Sequence, residues 1–194
     1  MTLRTSLVFL ASASLALACA APAEEASDPV SRDQKVRAFL EAREGGWRDM
    51  NVPPRDGQFL HDMIVENGYT RALEIGTSTG HSSIWIAWAL SKTGGRLITL
   101  EIDEDRHREA LANFEEAGLA DVIDARLVDA HEHVKTLEGP FDFVFSDADK
   151  GWYTQYFVDL APQMAPGGCY TSHNIHMRGM RAYVEHLRAE PGFE

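Results

Sequence analysis

Five short apolar segments alternate with stretches whose apolar residues recur at helical spacing, and this alternation constrains the chain more than any other feature. The strand-like segments are Arg71 to Ile75, Arg96 to Glu101, Ala125 to Asp129, Phe141 to Ser146 and Gly168 to Ser172. Helical patterns read at His81 to Leu90, Glu104 to Ala117, Tyr153 to Met164 and Met177 to Arg188, with a short one over Glu132 to Leu137. Two more precede them: one carries Val36, Phe39 and Leu40 behind a Ser31/Asp33 start, the other Phe59, Leu60, Met63 and Ile64 before Asn67-Gly68. Parallel strands need long crossover connections, so this order predicts an α/β domain, a doubly wound, mostly parallel sheet with helices on both faces. Ligands of such sheets lie beyond the carboxyl ends of the strands.

The length of 194 residues suits one such domain. Eighteen Lys+Arg against 30 Asp+Glu give a net charge of −12, which argues against nucleic acid as a partner, because backbone binding needs clustered cations. Two cysteines, Cys19 and Cys169, exclude a disulfide scaffold. Residues 1–23 read as a signal peptide: Arg4, an apolar run from Ser6 to Ala18 too short for a membrane span, then Ala18, Ala20, Ala21 and Ala23. Ala16-Leu17-Ala18-Cys19 also resembles a lipoprotein box with Cys19 as the acylated residue. The expected location is periplasmic or secreted, with or without a lipid anchor, or cytoplasmic if Met1 is not the true start. Residues 24–30 read as a linker and 31–194 as the folded domain.

The first strand runs into Gly76-Thr77-Ser78-Thr79-Gly80. Gly76 permits a sharp turn, and Gly80 permits close approach at a helix start, where free N–H groups gather. The dinucleotide fingerprint requires glycine at 78 and glycine or alanine at 81, where this chain has Ser78 and His81, so a nicotinamide oxidoreductase is disfavoured. Glu74, before the loop, repels phosphate and tolerates a cation, and Glu101, ending the second strand, can accept ribose hydroxyls. These features suit an adenosine with a cationic, amino-acid-like tail. The plainer alternative is a tight βα turn and a solvated strand end. Asp147 and Asp149 end a buried strand, and with an Asn174 carbonyl they can hold a hard divalent cation such as Mg²⁺. Lys150 beside them can take a proton from a catechol-like hydroxyl.

LEIGTSTGHSS at Leu73 to Ser83, Leu100-Glu101-Ile102, FDFVFSDADKGWY at Phe141 to Tyr153 and GGCYTSHN at Gly167 to Asn174 resemble S-adenosylmethionine-dependent O-methyltransferases of the catechol and caffeoyl-CoA type. The resemblance implies the Rossmann-like class I methyltransferase fold over residues 31–194, lacking the two C-terminal strands of the family. It implies S-adenosylmethionine as methyl donor, held at Glu74, Gly76, Thr77, Ser78, Gly80, Ser82, Glu101, Ala130 and Asp147, with His131 near the adenine. Lys150 is then the general base, working with Asp147, and a small phenolic molecule is the acceptor. Asp147, His173 and Asn174 are the implied metal ligands, and a homodimer is the implied assembly. His173 stands where the family has Asp, which favours a softer ion such as Zn²⁺, Mn²⁺ or Fe²⁺, or loss of the metal. The leader, this exchange and the absent strands motivate the alternative of an exported, non-catalytic ligand- or partner-binding domain.

Other residues have bland readings beside sharper ones. His131, His133, His173 and His176 read as polar residues round a pocket rather than a transition-metal cluster. Trp85 and Trp88 read as core, Cys169 as a small buried hydrophobe, and Met177 and Met180 as helix packing or an acceptor wall.

Overall fold

The computed structural model describes residues 31–47 and 49–193. The signal-peptide, lipoprotein and linker readings fall outside them. Helix α1 (Arg32–Ala42) starts at a capping box in which Ser31 and Gln34 satisfy each other's backbone N–H groups. Helix α2 (Pro54–Asn67) has proline in its first turn, where no N–H is needed, and ends at left-handed Gly68. Then follow β1 (Arg71–Ile75), α3 (His81–Thr93), β2 (Arg96–Glu101), α4 (Glu104–Ala117), β3 (Ile123–Leu127) and the single turn α5 (Ala130–His133). The chain continues through β4 (Phe141–Ser146), α6 (Tyr153–Leu160), β5 (Met164–Ser172) and α7 (Arg181–Ala189).

Among the described residues the five strands form one sheet in the order β3-β2-β1-β4-β5, every pair parallel. Side chains alternate across β1 because the pleat has a period of two. Ala72 packs towards α1 to α4 with Leu97, Phe143 and Phe145. Leu73 and Ile75 pack towards α6 and α7 with Leu100, Val144, Tyr156 and Tyr183. Helices therefore cover both faces, as doubly wound connectivity requires. Trp88 is buried and Trp85 nearly so, both within the first of these layers, as expected. The α2–α3 contact is close enough that a Cβ on Gly57 would lie 2.2 Å from the Trp85 ring.

The bounds of β1, β2, β4 and α4 agree with the sequence reading, and others shift, three of them for clear local reasons. Strand β3 begins two residues earlier, and Asp129 turns out of it to cap α5, its carboxylate accepting from the His131 N–H. The pattern over Tyr153 to Met164 splits, because a 3-10 turn at Ala161–Gln163 ends α6 and Met164 already belongs to β5. Helix α7 starts at Arg181, since Gly179 has φ of 103° and breaks the run from Met177. Met180 is consequently buried, whereas Met177 is exposed. No helix among the described residues is long and apolar enough to cross a membrane.

Candidate active site

A cavity of about 550 Å³ opens beyond the carboxyl ends of the strands, at the β1/β4 boundary where the winding direction reverses. Each strand end delivers part of its wall: Gly76 and Ser78 after β1, Glu101 and Ile102 at β2, Ala130 and His131 after β3. Asp147 and Lys150 come after β4, and His173 and Asn174 after β5. Carboxylates of Glu101, Asp129, Asp147 and Asp149 face it against the cations Arg106 and Lys150, and Arg106 is already paired with Asp49 at 2.6 Å. The excess of negative charge favours a cationic ligand.

At the β1 side, Gly76 has φ of 99°, and a Cβ there would lie 2.8 Å from the Asp147 carbonyl oxygen. Glycine thus lets the ends of β1 and β4 close together beneath the cavity. Ser78 is also left-handed, with φ of 50°, and its N–H donates to Glu101 Oε2 at 2.7 Å. Glu101 Oε1 accepts from the N–H groups of Ile102 and Asp103 at 3.0 and 2.9 Å. Three backbone donors fix the carboxylate and leave a lone pair of Oε2 for a ligand hydroxyl. The Ser78 hydroxyl has no protein partner although it is buried at the cavity wall. An unpartnered buried hydroxyl, a turn only glycine can make and a positioned carboxylate fit a nucleoside with a polar tail. At the far end, the His131 ring stacks on Trp152 with centroids 4.0 Å apart, and its nitrogens lie 3.3 and 3.5 Å from the carboxylates of Asp129 and Asp149.

Four expected donor-binding residues do not reach this wall. Glu74 shares the β1 face of Ala72, so it points under α3, fully buried, and accepts from the Ser83 hydroxyl and from Thr99 Oγ1 at 2.6 Å. Thr77 is buried with its hydroxyl 2.6 Å from that of Thr99. Gly80 is not on the cavity wall: a Cβ there would meet the Phe114 ring at 2.6 Å, so glycine seats α3 against α4. Ser82 is buried in the first turn of α3.

Burial pushes the Glu74 carboxyl up from 4.5 to about 7, against the hydrogen bonds from Ser82, Ser83 and Thr99. The folded state then holds a proton that the unfolded chain releases, so stability falls as pH rises through that window, by about 3 kcal/mol in all. Glu74→Gln is expected to remove this slope from urea-denaturation free energies measured across pH 4.5 to 7.5 (roughly the window between the two states' values). An unchanged slope would mean that Glu74 is not its source.

At the β4 side, Asp147 is surrounded. Its Oδ1 lies 3.5 Å from Lys150 Nζ and 3.3 Å from the Tyr153 hydroxyl, and its Oδ2 lies 3.0 Å from His173 Nδ1. His173 Nε2 lies 3.0 Å from Asp56 Oδ2 on α2. Hydrogen bonding to Asp147, aided by Asp56, raises the His173 pKa from its ordinary value in spite of partial burial. Burial raises the Tyr153 phenol well out of the titrating range, so it remains a donor.

The donor set does not suit a divalent cation. A carboxylate already met on both oxygens and an imidazole flanked by carboxylates on both nitrogens leave Asn174 as the only uncommitted member of the expected trio. Among the described residues no group of three or more His, Cys, Asp or Glu side chains is arranged to hold a metal ion. Asp147, His173 and Asn174 do line one cavity, but Asp147 and His173 are paired with each other at 3.0 Å. His133 lies apart, 3.1 Å from Arg126, and His176 is exposed, so the four histidines do not cluster.

Met50, Asn51, Arg106, Tyr156 and Asp56 belong to the site or its support without having been singled out in the sequence. The loop carrying Met50 and Asn51 is tied down by the Arg106–Asp49 ion pair. It is also held by reciprocal hydrogen bonds between Asn51 and Thr79 and by His81 Nδ1 on the Val52 carbonyl at 2.8 Å. None of these has a local sequence signature; Asp56 alone has one, as an acid in a helix first turn, and that signature points to capping.

A family model described as O-methyltransferase matches residues 26–190. The chain is 38% identical over 147 residues to a catechol O-methyltransferase of Niastella koreensis, covering 74% of this chain and 66% of that protein. It is 31% identical over 157 residues to caffeoyl-CoA O-methyltransferase 2 of Zea mays, covering 73% and 59%. The chain therefore spans less than two thirds of the length of these relatives. An O-methyltransferase from Bacillus cereus in complex with SAH superposes with a TM-score of 0.69 at 29% identity, over 86% of this chain and 83% of that one. An O-methyltransferase from Streptomyces achromogenes in complex with SAM gives 0.68 at 30% identity, over 84% and 82%.

Proposed function

The chain belongs to the O-methyltransferase family, and on that premise we propose that its cavity takes S-adenosylmethionine and directs the methyl group to a hydroxyl of a small phenolic or catechol-like acceptor. One observation carries this reading. The same cavity is lined by the Gly76 turn, Ser78 and Glu101 and by Lys150 with Asp147. The names of the relatives support the acceptor class.

Glu101 accepts a ribose hydroxyl on its free lone pair, His131 closes the adenine end, and Gly76 and Ser78 receive the amino-acid tail. When bound, the donor supplies an electrophilic methyl group on a sulfonium. The protein's part is to fix two reactants at reacting distance and angle, which removes most of the entropic cost of their encounter. Lys150 Nζ takes the proton from the acceptor hydroxyl as that oxygen becomes the nucleophile. Tyr153 and His173 hold the Asp147 carboxylate in place behind it.

Calorimetry with S-adenosylhomocysteine, followed by assay of methyl transfer from S-adenosylmethionine to catechol, tests the reading. A folded protein that shows no affinity for the nucleoside at millimolar concentration would refute it. Glu101→Gln is expected to weaken nucleoside binding by roughly tenfold to a hundredfold, the scale of one hydrogen bond to an ionised group. Calorimetry on that variant reads the loss directly.

A further inference from the structure

We propose that His173, clamped between Asp147 and Asp56, stands in this chain where a divalent cation would otherwise sit, so that methyl transfer here needs no metal and Asp56 is a positioning residue. The proposal rests on the methyl-donor reading above. Its basis is the geometry of one ring. Nδ1 and Nε2 lie 3.0 Å from the carboxylates of Asp147 and Asp56, both acceptor-only partners when ionised. Both ring nitrogens therefore face a carboxylate, and neither faces an open position that a metal could take. Its backbone is pinned as well: the His173 N–H donates to the Ser146 carbonyl at 3.1 Å, and its own carbonyl lies 3.3 Å from the Tyr153 hydroxyl.

The consequence is positional: the ring holds the Asp147 carboxylate in place at the wall that also carries Lys150. Asp56 reaches the ring from α2, and its side chain is 44% exposed, so it can be replaced without opening the core. Its effect on the reaction passes through His173.

The test uses the full chain, S-adenosylhomocysteine, catechol, and Mg²⁺, Mn²⁺ and Zn²⁺ as metal probes. Wild-type protein is expected to show no metal-dependent thermal shift, with or without the nucleoside, and to methylate catechol at the same rate before and after EDTA. His173→Asp, which returns a carboxylate to the position, is expected to gain a Mg²⁺-dependent thermal shift. Asp56→Asn is expected to bind the nucleoside as the wild type does and to lose about tenfold to a hundredfold in kcat, the scale of losing an orienting partner. In that variant the imidazole ¹⁵N resonances of His173 move as well, and resonances that stay in place would overturn the positioning role. Metal-dependent stabilisation of the wild type, activity lost to EDTA and restored by an ion, or a His173→Asp protein that binds ions no better than its parent would each overturn the proposal. Absence of nucleoside binding would instead overturn the methyl-donor reading, and the thermal-shift arms without nucleoside would still report on the metal.

Discussion

Gly76→Ala is expected to weaken S-adenosylhomocysteine binding by about a hundredfold or more and to lower the melting temperature. Two costs add at this position. A Cβ at φ of 99° is strained by about 1–3 kcal/mol wherever it occurs. Here it also meets backbone, at 2.8 Å from the Asp147 carbonyl oxygen and 3.1 Å from the Ala148 nitrogen. Backbone cannot rotate away as a side-chain tip can, so the loops after β1 and β4 must separate. Those loops are bound to neighbouring strands by Gly76 N–H on the Leu100 carbonyl and Asp147 N–H on the Ile75 carbonyl. Opening them displaces Ser78 and Asp147, which both line the cavity. Two comparisons separate the causes. Gly94→Ala carries the φ strain alone, since nothing lies within 4 Å of its Cβ, and Gly80→Ala pushes only on the Phe114 ring. Both are expected to lose stability and to retain nucleoside binding. Calorimetry on the three variants decides the matter, and equal losses of affinity in all three would remove Gly76 from the site.

Lys150→Met is expected to lower kcat by about a hundredfold to ten-thousandfold, the range of a general base, with nucleoside affinity unchanged. Methionine keeps most of the stem that reaches over the Tyr153 ring, where Lys150 Nζ lies 5.9 Å from the centroid, and removes the nitrogen. The separation of effects follows from position. Lys150 lies beside Asp147, whereas the proposed nucleoside contacts are Glu101, the Gly76 turn and Ser78. Steady-state kinetics of catechol methylation measures the loss. A variant that retains more than about a tenth of the parental rate would show that Lys150 is not the base.

Much of the site was legible because loops after parallel strands carry short, ordered motifs. Gly76, Ser78, Glu101, Ala130, His131, Asp147, Lys150, His173 and Asn174 all line the cavity. The errors have a common origin. Glu74, Thr77, Gly80 and Ser82 lie in the same motif, but proximity in sequence does not fix which way a residue faces. Glu74 is two residues before Gly76 and on the strand face of Ala72, so the pleat turns it under α3. The helical stretch from Met177 failed similarly: its apolar spacing suits a helix, but Gly179 adopts a conformation that no helix allows.

The amino-acid order alone determined the alternation of strands and helices, the glycine turn after β1 and the carboxylates at the ends of β2 and β4, because these follow from local periodicity and backbone preference. Tertiary structure decided what surrounds Asp147. Asp56 and His173 are far apart in sequence, and they meet only because α2 packs on α3 while β5 lies beside β4. No local pattern encodes a contact set by the packing of two layers, and that contact turned an expected metal ligand into the middle of an ion-paired cluster.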